Sequence, residues 1–243
     1  MITEILLKDQ TTGKNILWAN AEHGTEEIQP AQIELIRPRH EKLREHQKLR
    51  TKVRAEIFTP PDICKLQNDL IEPAKKDWQA YVDAKFLEIT CGEAPYLVSR
   101  YNAVTGAPIP IENRTGILDR KLKMVGKETS SNANADWLNL ARCAVQSVYG
   151  YEFQGDNLFL ARRNVFETVK DYYAEKFSLK PPEDFLIDIA EIISWNLWQM
   201  DGLTGSPPFQ ENANLFGGAN CKIKDWRTGK VEEFINLTKG ARR

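Results

Sequence analysis

The sequence has 243 residues, is 42% hydrophobic and carries a formal net charge of -1. A chain of this length can bury one sizeable core, or a main domain with an appendage. The balanced charge excludes a global field that steers the protein to a polyanion, so any nucleic-acid contact must come from a local patch.

Cysteine spacing and hydropathy restrict the class further. Cys64, Cys91, Cys143 and Cys221 form no CxxC pair, and the chain has 3 histidines, so we expect no zinc site. No apolar run approaches the ~20 residues that span a bilayer, and the first ten residues lack a signal-peptide core. We expect a cytoplasmic protein with reduced cysteines and no membrane contact.

The N-terminal stretch contains a hairpin signal. Residues 1–35 alternate apolar and polar side chains around Thr12-Gly13-Lys14, which is typical of a β-hairpin. Near the other end, KDWRTGK (Lys224–Lys230) repeats KDQTTGK (Lys8–Lys14) at five of seven positions. Two similar hairpins are therefore predicted.

A basic segment follows the first hairpin. Ile36–Arg54 is compatible with a helix and dense in Lys and Arg, with Glu41 and Glu45 as its only acids. Two interpretations stay open. The cations form a solvated helix face, or they contact phosphates of a nucleic acid along Arg37–Arg54.

From Phe86 onward, strand and helix patterns alternate. KFLEIT, SVYGYEF and NLWQMD are strand candidates, and Tyr96–Tyr101 has helical character. Helices are predicted near residues 117–125, from Trp137 onward, over residues 155–177 and, after Pro181-Pro182, over residues 183–195. This order predicts an α/β parallel sheet with crossover helices.

Acidic residues stand at the ends of the three predicted strands. Glu88, Glu152 and Asp201 should meet at one sheet edge, because the carboxyl ends of parallel strands lie together. Helix capping or solvation is the default role of each acid alone. Together they favour a nucleoside-containing ligand, with Gly92 allowing close backbone approach. No GxGxxG or GxxxxGK[ST] motif is present, which disfavours dinucleotide and P-loop sites.

Four motifs resemble one enzyme family. RAEIFTPPDIC, FLEITCGEAPYLVSRY, YGYEFQGDN and WNLWQMDGL look like successive motifs of the adenine-specific N6 DNA methyltransferases of restriction–modification systems, in the "subunit M" group. The resemblance implies a Rossmann-like S-adenosylmethionine-dependent fold, here incomplete. It divides the chain into residues 1–54 (hairpin and basic helical segment), 55–209 (partial cofactor-binding core) and 210–243 (hairpin and basic tail).

The resemblance also implies cofactor-binding roles. Phe58, Thr59 and Pro60 match the segment that holds the methionine end of S-adenosylmethionine. Glu152 matches the ribose ligand and Phe153 lies beside the adenine ring. The loop that wraps the cofactor is matched by Glu88, Thr90, Gly92, Ala94, Pro95 and Tyr96, and the adenine amino group is read by Asp201, Gly202 and Leu203. Ile89 stands where many methyltransferases have Pro, so this loop should follow a different path.

SPPF (Ser206–Phe209) spells a catalytic tetrapeptide, which in this family is usually Asn-Pro-Pro-Tyr at the end of a fourth strand. Only Gly202–Gly205 separate it from Asp201, too few residues for a parallel crossover of ~10 or more. A Pro-rich turn is the better prediction, and no catalytic residue is assigned. The chain ends where relatives continue toward Asn-Pro-Pro-Tyr.

Three hypotheses for function remain. The first is the cofactor-binding portion of an adenine-N6 DNA methyltransferase that needs a partner chain or a further segment. The second is a non-catalytic module that binds cofactor, DNA or a partner. The third is a complete cytosine-N4 methyltransferase that uses Ser206. In the family's topology the strands lie in the order third, second, first, fourth. The first strand would then expose an edge that a partner or self-association covers.

Overall fold

The computed structural model of the chain describes residues 1–20, 23–54, 56, 59–72, 77–210 and 220–240. Its α-helices are α1 (Ile2–Leu7), α2 (Arg44–Arg54), α3 (Pro61–Ile71), α4 (Trp78–Asp83), α5 (Ile117–Glu128), α6 (Asn134–Gln146), α7 (Gly155–Phe177), α8 (Glu183–Asn196) and α9 (Phe234–Gly240). Its strands are β1 (Phe86–Glu88), β2 (Val148–Glu152), β3 (Leu197–Gln199), β4 (Lys222–Lys224) and β5 (Val231–Glu233). Short 3₁₀ helices cover Pro30–Leu35, Arg39–Glu41 and Ile111–Asn113.

The central sheet is parallel, with strand order β1-β2-β3. Phe86 pairs with Val148, and Gly150 pairs with Leu197. Helices α5 and α6 lie on the connection from β1 to β2, and α7 and α8 on the connection from β2 to β3. Parallel neighbours need such crossovers. The predicted α/β class, the three strands and their order are therefore confirmed.

Helix α7 is the centre of the main core. Val165 and Val169 are fully buried in its middle, and buried side chains, both apolar and polar, occupy most of its circumference, as expected for a helix covered on several sides. Trp137 of α6 packs against Tyr173 of α7, with ring centroids 5.3 Å apart, and against Phe185 of α8 at 6.3 Å. No helix in the described part of the chain is long and apolar enough to cross a membrane.

A buried arginine on α7 joins three segments of the chain. The guanidinium of Arg162, which is 0% exposed, donates to the carbonyl oxygens of Leu6 (2.7 Å), Lys8 (2.9 Å), Ser194 (3.2 Å) and Leu197 (2.8 Å). Burial lowers the pKa of this group to about 10. Arg162 therefore remains charged at neutral pH and fastens α1 to the junction of α8 and β3.

The N-terminal stretch is not the hairpin predicted over residues 1–35. Ile2–Leu7 form α1, and the chain beyond it is joined by isolated antiparallel bridges at Lys8–Asn15 and Leu17–Glu27. The apolar residues of α1 recur at helical spacing and pack against α8, which overrides the alternation. The turn at Thr12-Gly13-Lys14 is present as predicted, with Gly13 at φ 75°.

Tyr96–Tyr101 forms turns and not the helical segment that was predicted. Its first two backbone N–H groups donate to the carboxylate of Glu88, and the N–H of Ser99 donates to Oδ2 of Asp119 at 2.8 Å. A helix directs its N–H groups to carbonyl oxygens four residues earlier. The two carboxylates therefore replace the helical acceptors of three N–H groups here, whereas the N–H of Val98 keeps the carbonyl oxygen four residues earlier, at 3.0 Å.

Four six-residue turns share one geometry. Each begins with Asp or Asn and has Thr-Gly at its fourth and fifth positions. In each, the first N–H donates to the sixth carbonyl oxygen (2.7–2.9 Å), and the Gly N–H donates to the first carbonyl oxygen (2.7–2.8 Å). Each Gly has positive φ, between 72° and 78°, which only glycine adopts readily. The turns are Asp9–Lys14, Asn102–Ala107, Asp201–Ser206 and Asp225–Lys230.

The C-terminal hairpin is confirmed in part. β4 and β5 pair antiparallel around Asp225–Lys230, as predicted from the repeated sequence. The prediction extended the hairpin through Leu237, whereas α9 begins at Phe234. Residues 241–243 of the predicted basic tail lie outside the described residues. The hairpin covers one face of the sheet, where Cys221 is buried with Tyr149, Trp198 and Met200.

Candidate functional site

The three parallel strands end at one edge of the sheet, where a cleft of about 880 Å³ opens. The residues after each strand line this cleft, and α3 contributes part of its side wall. Pockets that hold nucleoside-sized ligands commonly measure about 300–1,000 Å³. The cleft lies at the sheet edge where the three strand-end acids were expected to meet, and its volume falls within this range.

The loop after β1 is held in an unusual backbone conformation. Thr90, Gly92 and Ala94 have φ values of 48°, 54° and 63°, so three of five consecutive residues are left-handed. Glycine tolerates this region, whereas each of the other two costs about 1–3 kcal/mol and needs support from its surroundings. The N–H of Cys91 supplies such support, because it donates to the carbonyl oxygen of Tyr151 at 2.9 Å.

The loop is also fitted tightly onto β2. Cys91 is 1% exposed and packs against Gly150. A Cβ added at Gly150 would lie 3.2 Å from the Cys91 Cβ and 2.8 Å from a methyl carbon of Leu197. Gly150 therefore makes room for the loop, which turns the N–H of Gly92 toward the end of β2.

Glu152, the predicted ribose ligand, ends β2 at the base of the cleft. Its Oε2 accepts the N–H of Gly92 at 2.9 Å, and its Oε1 accepts the N–H of Gln154 at 3.1 Å. Burial raises the pKa of Glu152, the two N–H donors oppose that shift, and Asp156 and Glu56 add to it. A carboxylate has about four acceptor positions, so both oxygens keep the capacity to accept from a ligand.

Glu88, at the end of β1, lies on the opposite side of the same loop. Its carboxyl oxygens accept the N–H groups of Tyr96 (3.3 Å) and Leu97 (3.2 Å). Burial raises the pKa of Glu88 to about 8, against the effect of these donors, and the charge of Glu152 raises it further. Glu88 is therefore largely protonated at neutral pH and can donate one hydrogen bond within the cleft.

Asp201 has a structural role in addition to its place in the cleft. It opens one of the four shared turns, in which its Oδ1 accepts the N–H of Leu203 at 2.8 Å. Its backbone N–H donates to the carbonyl oxygen of Ser206 at 2.9 Å. One carboxylate oxygen thus stabilises the turn that carries Gly202 and Leu203 along the cleft wall.

SPPF is the turn that the sequence predicted, since residues 201–210 contain no strand. Ser206 is 1% exposed, and its hydroxyl lies 2.7 Å from the hydroxyl of Thr204. Phe209 contacts Phe153 edge-on, with ring centroids 5.6 Å apart. The Ser206 hydroxyl is therefore directed into the turn and does not line the cleft.

A buried polar cluster forms the wall near α2. Glu56 is 7% exposed, and its Oε2 accepts hydrogen bonds from Arg50 Nε (2.6 Å), Gln154 Nε2 (3.1 Å) and Asn157 Nδ2 (3.1 Å). Arg50 also forms a two-point contact with Asp156, at 2.8 and 3.0 Å. This network holds Glu56, which precedes the Phe58-Thr59-Pro60 segment, against the start of α7.

Asp156 receives a second cation, Lys42, at 3.1 Å. Burial alone would raise the pKa of Asp156, but Lys42 and Arg50 outweigh it and hold this pKa below its ordinary value. Asp156 also lies in the first turn of α7, where the helix dipole favours a negative charge. Lys42 and Arg50 of the basic segment therefore form internal ion pairs that hold this segment against α7.

Most of the predicted site residues come together. The cleft is lined by Thr59, Glu88, Thr90, Gly92, Pro95, Tyr96, Glu152, Phe153, Asp201, Gly202 and Leu203. Pro60 caps α3 and Ala94 is fully buried in the loop, so neither contributes to this lining. Phe58 lies outside the described residues.

Several residues that line the cleft are not among the predicted site residues. Lys52 belongs to the basic segment, which was interpreted only through its charge. Glu56 lies in the RAEIFTPPDIC motif but received no role from the resemblance, and Asn68 belongs to a helix without a motif. Gln154 and Asn157 had a usable signal, because both follow the strand-end acid within the YGYEFQGDN motif. Both lie at the N-terminal turn of α7, which follows the carboxyl end of β2.

Comparison with known proteins adds no relative to this description. No protein-family model matches the chain, and neither the curated proteins nor the solved structures contain a similar one.

Proposed function

We propose that this chain is the S-adenosylmethionine-binding portion of an adenine-N6 DNA methyltransferase of a restriction–modification system, with a Rossmann-like core. One observation carries the proposal. All four motifs that resemble this family contribute residues to a single cleft at the carboxyl ends of parallel strands. Open α/β sheets bind nucleotide ligands at this place.

We propose one orientation of the cofactor in the cleft. Its ribose hydroxyls donate to Glu152, and its adenine ring lies beside Phe153, with its amino group directed to Asp201. Leu203 is almost fully exposed at the rim and would cover the other face of the ring. The methionine end then points to the strained Thr90–Ala94 loop and to Thr59.

Methyl transfer needs a polar group next to the methyl donor, and Ser206 is directed away from the cleft. In the proposal this group comes from an Asn-Pro-Pro-Tyr segment of a partner chain or of a further segment. Such an enzyme must also extrude its target base from the duplex.

The free edge of β1 offers a docking place for that segment. Among the described strands, β1 pairs only with β2. Leu87 and Ile89 are exposed along this edge, and α3 exposes Leu66, Leu70 and Ile71. Unpaired edges beside exposed apolar side chains are usually covered in native assemblies. Light scattering should find an assembly with a partner or with itself, and a clean monomer would count against this part of the proposal.

A non-catalytic module is the second candidate. The burial of Ser206 favours it, because the Ser206 hydroxyl does not line the cleft and cannot serve there as the acceptor that methylation needs. Such a module would bind the cofactor, DNA or a partner without turnover. It predicts no methyl transfer even when a chain carrying Asn-Pro-Pro-Tyr is added.

Calorimetric titration with S-adenosylmethionine tests the cofactor site. We expect Glu152→Gln to weaken binding tenfold or more, which corresponds to about 1.4 kcal/mol, because the amide loses the charge that strengthens hydrogen bonds to the ribose. Glu152→Ala should weaken it at least as much. Glu26→Gln is the matched control, since Glu26 is exposed and does not line the cleft.

Two results would contradict the proposal. The first is no binding by the unmodified chain. The second is equal binding by the Glu152 and Glu26 variants. Circular dichroism of each variant establishes that a lost affinity does not reflect a lost fold.

A further inference from the structure

The basic segment separates into two sets of cations. The inward set is Arg39, Lys42 and Arg50. A guanidinium nitrogen of Arg39 donates to the carbonyl oxygen of Glu56 at 2.6 Å, and the other two cations bind Asp156. These three hold the segment against the rest of the protein and are engaged by internal partners.

The outward set is Arg44, Lys48 and Lys52 on α2. All three are exposed, and none has a carboxylate partner among the residues that the structure describes. Their spacing of four residues puts them on one face of the helix, about 6 Å apart along its axis. The distance between neighbouring cations in this row is comparable to the distance between successive phosphates along one nucleic-acid strand.

The row borders a groove with no acidic residue in its lining. This groove measures about 420 Å³ and is lined by Arg39, Arg44, Gln47, Lys48, Thr51 and Lys52. Four of these six side chains are cationic, and the other two are neutral hydrogen-bonding groups. The concentration of positive charge is local, because the whole chain has a net charge of -1.

The groove adjoins the candidate cofactor cleft. Lys52 lines both cavities. A nucleic-acid strand bound along α2 would therefore reach the cleft at Lys52, the last of the three cations. A linear row of cations suits a continuous backbone more than a single phosphate, which is typically held by converging donors.

We infer that the Arg44–Lys48–Lys52 face of α2 binds the phosphodiester backbone of DNA and leads one strand toward the cleft. This inference rests on the proposed function, which supplies DNA as the substrate. It assigns the contact to three residues of the segment and excludes the three inward cations. The contact is independent of sequence, because phosphates carry no base information.

Fluorescence anisotropy with a labelled DNA duplex tests the assignment. The chain is compared with a variant carrying Arg44→Gln, Lys48→Gln and Lys52→Gln. The control carries Lys8→Gln, Lys180→Gln and Lys222→Gln, which removes the same charge from exposed lysines elsewhere. Each phosphate contact adds about 0.9 to the slope of log affinity against log salt.

We expect the slope to fall by about 2.7 in the α2 variant and to stay unchanged in the control. The unmodified chain then loses about 40-fold more affinity than the α2 variant between about 50 and 200 mM salt. Equal slopes in the two variants would overturn the inference, and so would a failure of the unmodified chain to bind the duplex at the lower salt concentration.

The cofactor titration separates this result from the proposed function. A double variant with Arg44→Gln and Lys48→Gln leaves Lys52 in the cleft wall, so it should retain S-adenosylmethionine affinity. Its salt slope should fall by about two-thirds of the decrease expected for the triple variant. Retained cofactor binding without a change in DNA binding would reject the α2 surface and leave the cofactor site standing.

Discussion

The backbone N–H of Gly92 donates a 2.9 Å hydrogen bond to Oε2 of Glu152, which fastens the loop after β1 to the last residue of β2. Gly92 reaches this position with φ 54°, between two further left-handed residues. The strain of the loop and the buried carboxylate thus depend on each other. The cleft is organised before any ligand enters, which reduces the ordering cost of binding.

Gly92→Ala should destabilise the chain by about 1–2 kcal/mol, because a Cβ is unfavourable in the left-handed region. Gly126→Ala is the matched control in the interior of α5, where a Cβ would meet nothing within 4 Å. That substitution should stabilise the protein by about 0.5–1 kcal/mol, because alanine is the better helix former. Urea unfolding measures both, and the same sign for the two variants would contradict the assigned strain.

Glu88 predicts a pH dependence of stability. Its pKa is raised to about 8 in the folded chain by burial, from an ordinary value of 4.5, so the folded state binds more protons than the unfolded state between these values. This contribution to stability is present below the lower pKa and is lost as the pH rises toward 8.

The measurement is the free energy of unfolding of the chain minus that of Glu88→Gln, which imitates the protonated carboxyl at every pH. We expect this difference to fall by about 1 kcal/mol or more between about pH 5 and pH 8. The comparison with the variant matters because burial lowers the pKa of Lys121 to about 7. The contribution of Lys121 to the free energy of unfolding therefore rises with pH above about 7, which is opposite to the contribution of Glu88. A difference that is constant over this range would show that Glu88 is ionised throughout. Glu26→Gln, at an exposed site, should leave the curve of the unmodified chain unchanged.

Arg162 and its sequence neighbour give a sharp contrast. Arg162→Met removes the donor from four carbonyl oxygens, and the contacts to three of these, Leu6, Ser194 and Leu197, are buried. At about 1–3 kcal/mol for each buried group that water cannot reach, we expect a loss above about 4 kcal/mol or no folding. Arg163→Met removes the same charge from the exposed side of α7 and should change stability by less than about 0.5 kcal/mol. Thermal and urea unfolding measure both, and similar values for the pair would refute the role of Arg162.

The predicted fold is most accurate where periodicity and packing agree. Helices α5 to α8 are long enough for a 3.6-residue apolar period to emerge, and the short strands between them are bounded by turn residues. Ile2–Leu7 contains only about one and a half helical turns, so its apolar residues fit the two-residue period of a strand almost as well as the helical period. Tyr96–Tyr101 has a helical pattern, yet Glu88 and Asp119 bind the N–H groups that a helix would use. Glu88 on β1 and Asp119 on α5 reach these N–H groups only through the tertiary fold.

The candidate site likewise contains residues that are predictable from the sequence and residues that are not. Glu88, Glu152 and Asp201 could be placed together from the sequence, since parallel strands bring their carboxyl ends to one edge. The cluster of Glu56, Arg50 and Asp156 could not be predicted, because its members are separated by up to 106 positions and meet through the tertiary fold. Asp201 is predictable as a strand-end acid, whereas its turn is not, because it lacks the lysines that flank the two similar segments Lys8–Lys14 and Lys224–Lys230.

Ser206→Ala distinguishes the structural role of SPPF from a catalytic one. Ser206 is buried and its hydroxyl pairs with Thr204, so we expect a loss of about 1 kcal/mol in the free energy of unfolding. S-adenosylmethionine affinity should not change, because the hydroxyl does not line the cleft. Ser130→Ala is the control at an exposed serine and should change neither quantity. Transfer of a methyl group to cytosine by the unmodified chain, abolished by Ser206→Ala without loss of stability, would instead establish Ser206 as catalytic and the chain as a complete enzyme.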